Sequence, residues 1–126
     1  TLERLIIMKQ LLTAIIFSAL LSLPARAEIV STNMLRVMCS YPSLPANVQE
    51  FAKQSCYTII RSYLEYNAAM RNHVGVRVPF CLSEGGASLE GARATFLGYV
   101  SSNPNAEKQP AAIIFMMAMG EVSRCR

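Results

Sequence analysis

The 126-residue sequence predicts an all-α protein, a small disulfide-linked bundle of about four main helices behind a cleavable leader. Three observations predict it. Apolar residues recur at helical spacing in four separate segments. Strand-like alternation is confined to Val74-Gly75-Val76-Arg77-Val78, which reads equally well as an extended connector. Four cysteines, Cys39, Cys56, Cys81 and Cys125, all lie downstream of the leader, an even count suited to a disulfide framework in a small exported domain.

The leader comes first. Met8 and Lys9 open it, an apolar run follows from Leu11 to Leu23, and Pro24 with Ala25-Arg26-Ala27 closes it. This is the basic start, apolar centre and A-x-A end of a secretory signal peptide, expected over residues 8–27. The apolar run falls short of the ~20 residues that a transmembrane helix needs, so no membrane partner is expected after cleavage. Residues 1–7 precede the first start methionine and are read as upstream sequence. One domain, 28–126, remains.

Removing residues 1–27 takes away Arg4, Lys9 and Arg26 against Glu3, which lowers the formal net charge from +4 to +2. The remaining basic residues are scattered in sequence, with no run and no interleaved aromatics, so no nucleic-acid partner is expected. A domain of this size has a marginal core without covalent help.

The first bundle helix is expected after Ser31 or Thr32 as N-cap, with Met34, Leu35, Val37 and Met38 as its apolar surface, ending before Pro42. Prolines 42 and 45 mark a turn. The second runs from about Ala46 to Met70, where Cys56, Ile59, Ile60, Tyr63 and Asn67 share one face. Asn72 to Pro79 reads as a loop or extended strap, with His73 on the surface. The paired glycines in Leu82-Ser83-Glu84-Gly85-Gly86-Ala87 predict a flexible or tight loop.

Ser88 caps a third helix whose Leu89, Ala92, Phe96, Leu97 and Val100 align, and Ser102-Asn103-Pro104 stops it. A fourth starts near Gln109 with Pro110 in its first turn. Its Ile113 to Met117 run is apolar all round, which predicts a central helix or one that also lines a subunit interface.

Four cysteines allow three pairings. A short connection makes the third and fourth helices antiparallel, which sets Cys81 beside Cys125 and leaves Cys39 for Cys56. The sequence does not fix that choice, because Cys56 falls well inside the second helix unless that helix begins later than Ala46. Zinc is disfavoured: no C-x-x-C spacing exists and His73, the one histidine, is remote from every cysteine. No metal and no cofactor are expected.

Catalytic groups are scarce. The chain has no aspartate, so a Ser-His-Asp triad cannot be assembled, and oxidised cysteines leave no Cys-His pair. Gly85-Gly86 opens no phosphate-binding motif, and the glutamates read as solvated helix positions rather than a hydrolytic pair. A binding protein is expected rather than an enzyme.

A set of motifs then occurs in order across the mature chain: Cys56-Tyr57-Thr58-Ile59-Ile60, Phe80-Cys81, Tyr99-Val100-Ser101-Ser102-Asn103-Pro104, Gln109-Pro110-Ala111-Ala112 and a terminal cysteine. In this order the chain resembles the Rap/Tai family of immunity proteins for type VI secretion amidase effectors. The resemblance implies a helical periplasmic protein, commonly a homodimer, that binds and blocks a cognate peptidoglycan amidase. An inhibitor of this kind acts by filling the enzyme's groove. The best plug here is Leu82 to Ser88, which makes Ser83, Glu84, Gly85, Gly86 and Ser88 the expected effector contacts, with Glu90 and Arg93 as outward positions of the third helix behind them. The competing expectation is a small helical periplasmic chaperone or stress protein.

Overall fold

The structure, a computed structural model, describes residues 1–21, 29–82 and 88–126. The expected cleavage site at Ala25-Arg26-Ala27 and the loop residues Ser83, Glu84, Gly85 and Gly86 lie outside the described residues. Five α-helices are described: α1 (Leu2–Leu21), α2 (Thr32–Cys39), α3 (Ala46–Ala69), α4 (Leu89–Ser102) and α5 (Ala111–Val122). The all-α fold and its four bundle helices, α2 to α5, agree with the sequence reading.

Helix α1 covers part of the segment that the sequence reading assigns to a leader. Its Leu5, Ile6, Met8 and Leu12 are exposed, and none of its described side chains joins the buried core. Among the described residues no helix is long and apolar enough to cross a membrane.

Of the two candidate caps for α2 the structure uses Ser31, and Ser88 caps α4 as expected. Ser31 Oγ accepts the Met34 N–H at 3.1 Å to open α2, and Ser88 Oγ accepts the Gly91 N–H at 2.9 Å to open α4. Each satisfies a donor that the first turn leaves without a partner. A 3-10 turn over Tyr41–Ser43 carries the chain from α2 into α3. Helix α3 starts at Ala46 as expected, after Pro45.

At its far end α3 does not pass straight into a loop. A π-helical turn spans Met70–Val74 and stops at Gly75, whose φ of 75° is left-handed, the conformation that glycine adopts at little cost. The strap after it forms no strand among the described residues. The alternation of Val74, Val76 and Val78 marks no common face, since Val78 is buried while Val74 and Val76 are exposed.

The start of α5 is tied to the start of α2. Thr32 sends both its N–H and its hydroxyl to the Gln109 carbonyl, each at 2.9 Å, and the Ala111 N–H bonds the Val30 carbonyl at 2.9 Å. These bonds satisfy Thr32, which is fully buried.

Helix α5 runs through the core. Phe115 is fully buried, with the rings of Tyr63, Phe80 and Phe96 at 5.3, 6.2 and 6.4 Å. Ile114, Ala118 and Met119 are buried beside it, whereas Ile113 and Met117 are 54% and 50% exposed. The apolar girdle of α5 therefore buries one broad face and leaves a second uncovered.

Two disulfides close the frame, Cys39–Cys56 and Cys81–Cys125, with Cα separations of 5.0 and 4.8 Å. This is the pairing that the antiparallel packing favoured. Cys56 meets Cys39 from within α3 because α2 ends against that helix's flank, so no later start for α3 is needed. The first disulfide is fully buried, while Cys125 is exposed.

Candidate functional site

Of the expected effector contacts, the described residues include Ser88, Glu90 and Arg93. They stand on the first turns of α4, where the chain leaves the loop. Ser88 is committed to its cap. Glu90 is open to solvent, its side chain 57% exposed.

Arg93 overturns the expectation of an outward position. Only 14% of its side chain is exposed. Its Nε donates to the Cys39 carbonyl at 2.7 Å, its guanidinium lies 4.6 Å from the centre of the Tyr41 ring, and its Nη1 pairs with Glu90. The physical reason is that α2 ends against α4 and leaves a carbonyl without a helical partner. A guanidinium can satisfy such a group while stacking on an aromatic ring. Arg93 thus holds the end of α2 in place.

Around this arginine the fold gathers residues that helical periodicity alone did not single out. Tyr57 donates its hydroxyl to Glu90 at 2.7 Å. Its oxygen lies 3.4 Å from that of Tyr41, whose ring meets the Tyr57 ring edge-on at 6.3 Å. Lys53 Nζ lies 5.8 and 5.9 Å from the centres of the Tyr41 and Tyr57 rings. Lys53 and Tyr57 are one turn apart on α3, a spacing visible in the sequence. Tyr41 is contributed by the turn after Cys39, and only the fold brings it to them.

The electrostatics follow from these contacts. The hydrogen bond from Tyr57 is the main cause holding the Glu90 carboxyl below its usual range, with Arg93 adding to it against some desolvation. The same bond, followed by the contact with Tyr41, pushes the Tyr57 hydroxyl far above its usual value. Glu90 therefore stays ionised and Tyr57 stays protonated at neutral pH, which suits neither to act as a general acid or base. What the cluster offers a partner is one exposed, fixed carboxylate that can accept hydrogen bonds or pair with a cation.

A second surface lies on the other flank of α3. Tyr66 of α3 and Ile113 and Met117 of α5 border an open groove of about 850 Å³ whose other walls include Ser62, Tyr63 and Pro79 and no charged side chain. Tyr66 is 63% exposed. At one end α5 and the strap nearly touch, since a Cβ on Gly120 would lie 3.2 Å from the Pro79 carbonyl oxygen.

Among the described residues no group of three His, Cys, Asp or Glu side chains is placed to hold a metal ion. Comparison with protein-family models, with curated protein sequences and with solved structures finds no match to this chain.

Proposed function

We propose that the chain is an exported immunity protein that binds a peptidoglycan amidase effector in the periplasm and blocks its active-site groove. The observation that carries the reading is the ordered run of motifs from Cys56-Tyr57 through Phe80-Cys81 and Asn103-Pro104 to the terminal cysteine. The rigid α2–α3–α4 junction supports it, because a carboxylate fixed by Tyr57 and Arg93 beside the expected plug suits a partner with a cationic cleft. Inhibition by occlusion asks for shape and rigidity and requires no chemistry from this chain.

The uncovered face of α5 supports the homodimer that the same reading contains. Tyr66, Ile113 and Met117 form one apolar patch, and a self-complementary contact across a two-fold axis would bury it twice. That groove also favours the rival reading, a helical chaperone that offers apolar surface to unfolded clients.

Titration of oxidised protein against a purified candidate amidase, followed by calorimetry and by peptidoglycan cleavage, separates the two. The immunity reading predicts saturable one-to-one binding with loss of cleavage. Suppressed aggregation of unrelated unfolded proteins, with no inhibition of any amidase, would support the chaperone.

A further inference from the structure

In sequence the arginines are scattered, yet the fold collects several of them at one end of the bundle. Arg71 lies in the π turn, beside Met70, whose carbonyl accepts the Val76 N–H at 3.3 Å. Arg77 is the next residue along the strap, followed by Val78, whose carbonyl oxygen is 3.7 Å from Cys125 Sγ. Arg124 and Arg126 flank that cysteine. The tail is held against the strap twice, by the Cys81–Cys125 disulfide and by the Cys81 N–H bond to the Ser123 carbonyl at 2.8 Å.

All four arginines are exposed, as is His73 between the first two. No acidic residue occurs from Tyr66 to Ser83 or from Val122 to Arg126. Among the described residues the ion pairs are Arg36–Glu107 and Arg93–Glu90, and neither involves this end. Between Arg71 and Arg77 lie Val74 and Val76, 61% and 42% exposed. Cations with long apolar stems beside small exposed apolar side chains are suited to the boundary between phosphate headgroups and acyl chains.

We propose that Arg71 of the π turn, Arg77 of the strap and the Arg124–Arg126 tail, clamped by the Cys81–Cys125 disulfide, form a cationic face that docks on an anionic phospholipid surface. An acidic protein would satisfy the charge but has no evident need of valines set between the arginines, and this is why lipid is favoured. The inference stands apart from the immunity reading. It concerns a reversible surface contact, not a membrane span, and each arginine adds a modest increment near a charged bilayer.

The test uses oxidised protein without residues 1–27, since the apolar helix α1 would bind lipid by itself and none of its described side chains joins the core. Flotation is measured with phosphatidylcholine vesicles with and without phosphatidylglycerol. The expected result is binding only to the anionic vesicles, abolished when ionic strength is raised to about 1 M. Each of Arg71→Gln, Arg77→Gln and Arg124→Gln should weaken partition about fivefold, while Arg61→Gln and Lys108→Gln, elsewhere on the surface, leave it nearly unchanged. Paired Cys81→Ser and Cys125→Ser substitutions, with helicity checked by circular dichroism, should cost at least as much as Arg124→Gln because the tail is released. No flotation with anionic vesicles, or flotation indifferent to the three arginines, would overturn the proposal. Loss of binding to an acidic protein partner in the same variants without any vesicle binding would assign the face to that partner instead.

Discussion

The Nε of Arg93 donates to the Cys39 carbonyl at 2.7 Å, across 54 positions of sequence. This bond joins the end of α2 to α4 at the point where Cys39 is also tied to α3, so three helices meet at one residue. Arg93→Ala removes a charge-assisted hydrogen bond and a cation–aromatic contact together. A loss of about 2–3 kcal/mol in unfolding free energy is expected, measured by urea denaturation. Arg93→Lys should recover only part of it, because an ammonium cannot stack on Tyr41 and reach the carbonyl in the same geometry.

The Tyr57–Glu90 bond sets a pH dependence whose sign is fixed. Glu90 has a lowered value in the folded protein, so its contribution is present above the ordinary carboxylate range and is lost as pH falls through the lowered folded value. Tyr57, raised in the folded protein, contributes below its ordinary range and loses that contribution only as pH rises through the raised value. Tyr57→Phe should bring the Glu90 titration back toward the usual carboxylate value in a carboxyl-resolved NMR titration. It should cost about 1 kcal/mol at neutral pH. An unchanged Glu90 titration in this variant would show that the bond is absent in solution.

Asn67 is 4% exposed, and its Nδ2 donates to the Phe80 carbonyl at 2.9 Å. That bond pins the strap to α3 just before Cys81. Asn67→Ala leaves a buried carbonyl without a donor and should cost about 1–3 kcal/mol. Faster amide exchange at Phe80 and Cys81 should accompany the loss, and uniform acceleration across the whole protein would point to a general effect instead.

Gly98 lies on the exposed face of α4, and an added Cβ meets nothing within 4 Å. Gly98→Ala should raise stability by about 0.5–1 kcal/mol through helix propensity alone. Thermal unfolding gives the check, and a lower midpoint would mean that this face of α4 is covered in solution.

The two disulfides should differ in their response to reductant. Cys39–Cys56 is fully buried, whereas Cys125 is exposed, and thiol exchange requires access to sulfur. Graded reduction followed by alkylation should label Cys81 and Cys125 first. In the chain-entropy account the bonds, 17 and 44 residues apart, stabilise by about 3 and 4 kcal/mol respectively. The more stabilising bond would then be the more easily reduced.

Much of the frame could be read in the sequence because it follows from local rules. Ser31 and Ser88 announce their helices as caps, the Cys56–Asn67 face marks α3, and a short connection between the last two helices places Cys81 near Cys125. What could not be read depends on distance in the chain. Helical spacing puts Arg93 on a flank of α4 but cannot show that a carbonyl 54 residues earlier will draw it inward. Nor can it show that Arg71, Arg77 and Arg124 share one end, since a disulfide and a π turn bring them together. The α5 girdle foretold burial on several sides, while the structure leaves Ile113 and Met117 uncovered.

The central claim is tested most directly by export-dependent protection. A candidate type VI amidase is directed to the periplasm of a sensitive bacterium, with and without this protein, and lysis is followed. The account predicts rescue by the chain carrying residues 8–27 and no rescue when that segment is deleted. Continued lysis with every amidase encoded near the gene, despite soluble and fully oxidised protein in the periplasm, would contradict it.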